Sequence, residues 1–205
     1  MSTFLTTLTA QRLLPVLRTS DPSEAVTSAH IALDAGLRLV ELTATTPDWA
    51  RALAQLRQTR PESLVGLGTV TTASLARSAV EAGASFLVSP WPVAEVRAVA
   101  DEAGVPFLEG AFTPAEVADV ARRGPVKLFP AHVGGPAYVR SLRQVLPEAV
   151  IVPTGGIKVS DAQTWLAAGA TAVGVGQDLF IGDLARHVAD VLAIVIDTPS
   201  RSVGP

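Results

Sequence analysis

The chain has 205 residues, 48% of them hydrophobic, and a formal net charge of −3. This length and hydrophobic content suit one large domain with its own core, and the slightly acidic balance argues against a nucleic-acid partner. Cysteine is absent, which excludes disulfides, thiolate metal sites and a cysteine nucleophile.

The amino-terminal residues predict a helix rather than a targeting segment. Residues 1–12 lack the basic start, the apolar run and the small-residue cleavage site of a signal peptide, so we expect a helix over 1–11. No stretch of the sequence approaches the roughly 18 uninterrupted apolar residues of a membrane span. We therefore expect a cytoplasmic protein with no membrane partner, and a single domain over 1–205.

After this helix, eight short apolar runs predict buried strands, spaced about 20–25 residues apart. They do not alternate with polar residues, which is typical of parallel strands that are covered on both faces. The runs lie at 13–17, 38–42, 64–68, 85–89, 105–108, 126–129, 149–153 and 171–175.

Between the runs, Ala-Gly pairs indicate where helices end, because glycine readily adopts the left-handed conformation of a helix C-cap. The pairs are Ala35-Gly36, Ala82-Gly83, Ala103-Gly104 and Ala168-Gly169. Helix and strand thus alternate, and eight such units predict a compact (β/α)8 TIM barrel. Periodicity alone also allows an open doubly wound sheet. Residues 198–205 predict a frayed tail.

Lys127 interrupts the apolar run 126–129 and is one of only two lysines in the chain. An ammonium removed from water loses solvation, so burial is expected to lower the pKa of a lysine. A lower pKa favours the neutral amine, which is a nucleophile. Schiff-base chemistry on a ketone needs this amine. The simpler interpretation is a lysine that reaches solvent from the end of its strand.

Glu41 presents the same problem on another strand, since a buried carboxylate without a partner is costly. In a parallel barrel the chemistry lies at the carboxyl ends of the strands, so Lys127 and Glu41 can share one pocket there. The pattern leaves open whether Glu41 is a catalytic base or an ion-pair partner of Lys127 or Arg18. Thr43 and Glu109 belong to the same set of strand ends.

The ends of the seventh and eighth runs predict a phosphate site, because barrels bind phosphate there with backbone N–H groups and glycine permits close approach. The candidates are Thr154, Gly155, Gly156, Gly176 and Gln177. Arg18 closes the first run and can hold a carboxylate through two parallel hydrogen bonds. The three histidines, of which His132 follows the lysine strand and can line the mouth, show no ligand spacing, so we expect no metal and no other cofactor.

Along consecutive strand ends, the chain resembles the 2-keto-3-deoxy-6-phosphogluconate (KDPG) aldolase family, which also includes the 6-phosphogalactonate and 4-hydroxy-2-oxoglutarate aldolases. The likeness covers about residues 13–193. Its most specific element is Val126-Lys127-Leu128-Phe129-Pro130, followed by Gly135-Pro136-Ala137-Tyr138. The other residues that carry it are Glu41, Gly68, Thr69, Ser89, Pro90, Thr154, Gly155 and Gly156.

The resemblance implies a class I aldolase, commonly a homotrimer and without a metal, that releases pyruvate from a 2-keto-3-deoxy-6-phospho sugar acid. Lys127 would attack the C2 ketone, and Glu41, through a water, would remove the C4 hydroxyl proton. The implied carboxylate and pyruvate pocket consists of Arg18, Thr45, Thr69, Pro90 and Phe129. The implied phosphate end consists of Thr154, Gly155, Gly156, Gly176 and Gln177.

Two positions depart from the family's pattern. Thr45 stands where some members have the arginine that holds the substrate carboxylate, so we expect Arg18 to replace it. Gln177 stands where several members have serine; its amide can still donate, and we expect its larger side chain to narrow the phosphate end. The choice among the two phosphorylated epimers and 4-hydroxy-2-oxoglutarate stays open. The alternatives are a phosphosugar isomerase or epimerase with Glu41 as base, and a non-catalytic phosphometabolite-binding barrel.

Overall fold

The computed structural model describes residues 2–197, in which helices and strands alternate along the chain. The strands are β1 (Leu13–Leu17), β2 (Leu39–Thr43), β3 (Leu64–Gly68), β4 (Leu87–Val88), β5 (Phe107–Ala111), β6 (Val126–Leu128), β7 (Ile151–Pro153) and β8 (Val173–Val175). The helices are α1 (Thr3–Gln11), α2 (Pro22–Asp34), α3 (Trp49–Thr59), α4 (Ala73–Glu81), α5 (Ala94–Ala103), α6 (Pro114–Ala121), α7 (Ala131–Val145), α8 (Ala162–Ala167) and α9 (Leu184–Asp197). Each predicted run overlaps a strand, and the tail predicted at 198–205 lies outside the described residues.

The strands form one parallel sheet whose two edges meet. Their order is β7-β6-β5-β4-β3-β2-β1-β8, so each strand except β8 lies beside its neighbour in sequence, and β8 pairs with β1. An isolated bridge between Thr154 and Gly174 joins the segment after β7 to β8. The predicted (β/α)8 barrel is confirmed, and the open doubly wound alternative is wrong. Among residues 2–197, none of the helices combines the length and hydropathy needed to cross a bilayer.

The predicted helix before the first strand is α1, which closes the amino-terminal end of the barrel. Phe4 of α1 lies against Phe86, with ring centroids 4.6 Å apart. Gln11 at the end of α1 donates to the carbonyl oxygens of Leu13 and Leu39, which begin β1 and β2. The opposite end of the barrel, where the strands finish, is therefore the end available for a site.

Alternation along the strands separates two apolar cores. Side chains at odd and even positions of a strand point to opposite faces, so one set fills the barrel and the other packs against the helices. Val126 and Leu128 belong to the core under the helices, so Lys127 between them points into the barrel. The inner core consists of Phe4, Leu8, Leu14, Val16, Leu39, Phe86, Val88, Leu108, Val152 and Ala172.

Glu109 corrects one expectation from the sequence, since it does not face the mouth of the barrel. It shares the outer face of β5 with Phe107, which packs under the helices. Its buried carboxylate accepts hydrogen bonds from the Val93 N–H at 3.2 Å, from Arg97 Nη2 at 3.0 Å and from Arg123 Nη2 at 3.3 Å. Glu109 therefore ties β5 to α5 and to the segment that follows α6.

Candidate active site

Lys127 and Glu41 meet inside the barrel. Lys127 extends from β6 and Glu41 from β2, two strands that are not neighbours in the sheet, and Nζ lies 3.5 Å from Oε1. Their side chains are 6% and 0% exposed. An amine and a carboxylate thus share an enclosed space, and their separation suits proton transfer through one water.

The Glu41 carboxyl group is arranged to take up a proton. Burial raises its pKa, and the positive charges of Lys127 and Arg18 offset part of that rise. Its Oε2 atom is buried and has no hydrogen-bond partner among the described residues. Because buried carboxylate oxygens normally have partners, Oε2 marks a position where a hydroxyl group or a water can donate.

Phe129 lies beside the lysine amine. Its ring centroid lies 5.7 Å from Lys127 Nζ, within the range of a cation–π contact. The turn after β7 also packs against this ring, where a Cβ on Gly155 would lie 3.0 Å from the nearest ring atom. Gly155 also has a φ of 98°, so a side chain there would be strained as well as crowded.

Arg18 is held at the mouth by two of the predicted pocket residues. It donates from Nη1 to Thr45 Oγ1 at 2.6 Å and from Nη2 to Thr69 Oγ1 at 3.2 Å. Thr43, which points into the barrel beside Glu41, lies 3.0 Å from Thr45 through their hydroxyl oxygens. A guanidinium has five N–H donors, so this arrangement leaves donors for a carboxylate.

Thr69 lines this pocket with an unusual backbone conformation. Its φ is 63°, in the left-handed region that β-branched residues rarely adopt. Such strain is concentrated at functional sites, where the surrounding structure enforces it. Here the strain coincides with the contact to Arg18.

Pro90 lies at the end of β4 and is held by its neighbours. Ser89 Oγ donates to the Trp91 carbonyl at 2.7 Å and accepts from the Gly110 N–H at 3.1 Å. A Cβ on Gly110 would lie 2.2 Å from the Pro90 carbonyl carbon, so β5 approaches this turn only because residue 110 is glycine. The structure thus fixes Pro90 at the end of the barrel that carries Lys127.

The predicted phosphate end is formed by the turns after β7 and β8. Gly155 and Gly156 have φ values of 98° and 71°. The N–H of His132 donates to the Gly155 carbonyl at 3.1 Å, and a Cβ on Gly156 would lie 2.8 Å from His132 Cβ. These contacts place His132 beside the turn, so it lines the mouth as predicted.

Asp178 joins the two turns of the phosphate end, since its Oδ2 accepts from the Val159 N–H at 2.7 Å. Gly176 and Gln177 directly precede it, and Gln177 is exposed. Thr154 is buried and donates to the Val152 carbonyl at 3.3 Å, so its hydroxyl faces the barrel rather than solvent.

Sequence reasoning missed the roles of Thr43 and Gly68 in arranging this site. Thr43 follows Glu41 by two residues and therefore lies on the same inner face, a signal that the alternation of β2 could have supplied. Gly68 lies next to the Glu41 carboxylate, since a Cβ at position 68 would be 1.7 Å from Oε1. This proximity depends on the register between β2 and β3, which the sequence does not contain. Within residues 2–197 no group of three or more His, Asp or Glu side chains is placed to hold a metal ion.

Comparison with known proteins gives a consistent result. The family model described as KDPG and KHG aldolase matches residues 5–194. The 2-dehydro-3-deoxy-6-phosphogalactonate aldolase of Escherichia coli is 28% identical over 172 residues, covering 82% of this chain and 84% of that protein. The 2-dehydro-3-deoxy-phosphogluconate aldolase of Treponema pallidum is 32% identical over 198 residues, covering 92% and 94%.

One similar crystal structure contains a reaction intermediate. The KDPG aldolase from Legionella pneumophila, with pyruvate captured as a covalent carbinolamine, superposes with a TM-score of 0.81 and 25% identity. The match covers 95% of this chain and 97% of that one.

Proposed function

This chain belongs to the KDPG and KHG aldolase family and is a class I aldolase, and we propose that Lys127 is its Schiff-base amine and Glu41 its acid–base group. The observation that carries this proposal is the enclosed contact of 3.5 Å between Lys127 Nζ and Glu41 Oε1. Membership of a carbon–carbon lyase family favours this reaction over the isomerase or epimerase and over the non-catalytic barrel.

The proposed reaction begins at the C2 ketone of the substrate. Lys127 Nζ attacks C2 to give a carbinolamine, which loses water to form a protonated imine. Glu41 accepts the proton of the C4 hydroxyl, and C4 becomes an aldehyde as the C3–C4 bond breaks. The electron pair of that bond forms the C2=C3 double bond of an enamine, and the electrons of the C=N bond move to the imine nitrogen. Protonation at C3 and hydrolysis of the imine release pyruvate and restore the amine of Lys127.

The substrate is proposed to be a 2-keto-3-deoxy-6-phospho sugar acid. Arg18, held by Thr45 and Thr69, is the cation at the mouth that suits the C1 carboxylate. Pro90 and Phe129 supply the apolar walls of the pyruvate pocket. The phosphate would bind to the N–H groups of the turns after β7 and β8, which carry Gly155, Gly156, Gly176 and Gln177. Thr154 would support this end rather than donate to the phosphate, because its N–H bonds to the Leu128 carbonyl at 3.0 Å.

A cleavage assay tests the reaction and the substrate together. Pyruvate release would be measured with the phosphogluconate acid, its phosphogalactonate epimer and 4-hydroxy-2-oxoglutarate. The wild type and Lys158→Arg should cleave at least one of them, whereas Lys127→Arg should lose about 10³-fold or more in kcat because arginine forms no imine. Equal activity in Lys127→Arg, or no cleavage of any substrate by the wild type, would contradict the proposal.

We further propose a single-domain cytoplasmic homotrimer that acts on a small metabolite and has neither a nucleic-acid nor a membrane partner. The family resemblance supports the trimer, and the absence of cysteine fits a reducing compartment. The net charge of −3 fits a protein that binds one small anion in a local pocket rather than a polyanion.

A further inference from the structure

Gly68, the last residue of β3, leaves the space that the Glu41 carboxylate occupies. In the paired strands, Gly68 lies opposite Thr43, and Glu41 lies opposite Gly66. A Cβ on Gly68 would lie 1.7 Å from Glu41 Oε1, 2.5 Å from its Cδ and 2.9 Å from its Cγ. All three distances are below the 3.0 Å that real Cβ atoms respect, so a side chain at position 68 excludes the present position of the carboxylate.

Position 68 requires glycine because a side chain there would clash with Glu41. It does not require glycine for a backbone conformation that other residues avoid. Gly68 is absent from the residues with positive φ, so its backbone conformation is one that alanine can adopt. Glu41 is fully buried and its Oε1 contacts Lys127, so the carboxylate cannot turn toward solvent while it keeps that contact. Adding one methyl group at position 68 would therefore displace the carboxylate from its present position beside the amine.

We propose that Gly68 is a positioning residue for aldol cleavage, because the absence of a side chain there lets the Glu41 carboxylate lie against Lys127. This inference rests on the proposed function of Glu41. It assigns to Gly68 a role that is exerted through the position of Glu41.

The inference predicts a specific interaction between substitutions at 68 and 41. Gly68→Ala should lower kcat about 10²-fold, because a displacement of about 1 Å of a catalytic group has an effect of this size. In a Glu41→Ala background the carboxylate is gone and its space is empty. There Gly68→Ala should change the residual kcat less than about twofold, so the two substitutions should be strongly non-additive.

Gly66→Ala is the matched control. Gly66 lies on the same inner face of β3, but a Cβ there would lie 2.4 Å from the Phe86 ring. Gly66→Ala should therefore cause the same loss of stability or activity in the wild-type background as in the Glu41→Ala background. Rates are compared per folded protein, with the folded fraction measured by near-ultraviolet circular dichroism and urea unfolding.

The outcomes separate the two proposals. A loss in Gly68→Ala that disappears in the Glu41→Ala background supports the inference, and so does a Gly68→Ala variant that fails to fold while the Gly68→Ala, Glu41→Ala double variant folds. Three outcomes would overturn the positioning role of Gly68 and leave Glu41 as the acid–base group. They are an equal loss of kcat in both backgrounds, wild-type kcat in Gly68→Ala, and failure of both the single and the double variant to fold. Wild-type kcat in Glu41→Ala alone would overturn the proposed role of Glu41 and the positioning role together.

Discussion

Glu41 binds its proton more tightly in the folded chain than in the unfolded one, because burial raises its pKa. The folded state then carries more protons than the unfolded state between the ordinary glutamate pKa of about 4.3 and the raised value. In that interval the free energy of unfolding falls as pH rises. The Glu41 carboxyl group therefore stabilises the fold most when it is protonated.

This linkage predicts a pH-dependent difference between the wild type and Glu41→Gln. Glutamine has nearly the same shape and does not titrate, so the wild type should lose stability relative to the variant as pH rises above about 4.3. Urea unfolding at several pH values from 4 to 8 would measure the difference. A difference that stays constant, or that grows in favour of the wild type, would contradict the raised pKa.

Arg18 is oriented by hydrogen bonds to two threonines, and Thr45 provides the shorter one at 2.6 Å. Thr45→Val keeps the size of the side chain and removes the acceptor. We expect KM for the phosphorylated substrate to rise about fivefold, the equivalent of about 1 kcal/mol for one hydrogen bond, with kcat nearly unchanged. Thr59→Val on α3 is the control and should leave KM unchanged. A fall in kcat at constant KM in Thr45→Val would contradict the role of Arg18 in substrate binding.

The unusual residues of the site could be predicted because they break the pattern of their surroundings. Lys127 and Glu41 are charges within apolar runs, and the structure places them 3.5 Å apart. The hydrogen bonds that connect Arg18 with Thr45 and Thr69 join three different strand ends. Such contacts depend on the spacing between strands, so the sequence indicated the residues without showing how they are held.

The anchoring of β5 to the helix layer depends on Glu109, whose carboxylate is 1% exposed. Glu109→Ala would leave Arg97, which is 15% exposed, without its main partner. Removing one member of a buried ion pair should lower the free energy of unfolding by about 3 kcal/mol. Activity per folded molecule should stay unchanged, because Glu109 faces away from the barrel interior.

Asp119→Ala is the control for this prediction. Asp119 lies on α6 and is an exposed partner of Arg123. Its removal should change the free energy of unfolding by about 0.5 kcal/mol or less. Equal costs for the two substitutions, or lost activity in a folded Glu109→Ala variant, would contradict the assignment of Glu109 to the helix layer.

The ends of the helices were predictable because they depend on adjacent residues alone. After α2, the N–H of Gly36 bonds to the Leu33 carbonyl and that of Leu37 to the Ala32 carbonyl, which is the Schellman pattern. The glycines of all four Ala-Gly pairs have positive φ values between 64° and 107°.

The strands were less predictable, because their limits depend on pairing with distant residues. The apolar run 85–89 contains a paired strand of only two residues, Leu87–Val88. Glu109 was assigned to the mouth because the end of β5 was placed too early: the strand continues to Ala111. A strand's inward and outward faces follow from its register, and a shift of one residue reverses them.

The two ends of the barrel have different roles: one end stabilises the fold and the other carries the candidate active site. The amino-terminal end is filled by apolar side chains of α1 and the inner core, whereas the carboxyl-terminal end carries Arg18, Glu41 and Lys127. This division is typical of the architecture, in which loops at one end vary while the other end holds the strands together. It also explains how so short a chain can enclose the amine of Lys127.

The proposed homotrimer predicts a molar mass of about three times that of the 21.2 kDa chain. Sedimentation velocity over a tenfold dilution series would measure it, and the mass should not change with concentration. A single-chain or two-chain species throughout the series would contradict the trimer.

The most direct measurement of the central claim is the location of the covalent intermediate. The protein would be incubated with pyruvate, reduced with borohydride and mapped by peptide mass spectrometry, with Lys158 as the internal comparison because the chain has only two lysines. The account predicts one reduced pyruvate adduct per chain, on Lys127, and none in Lys127→Arg. An adduct on Lys158, or none in the active wild type, would contradict it.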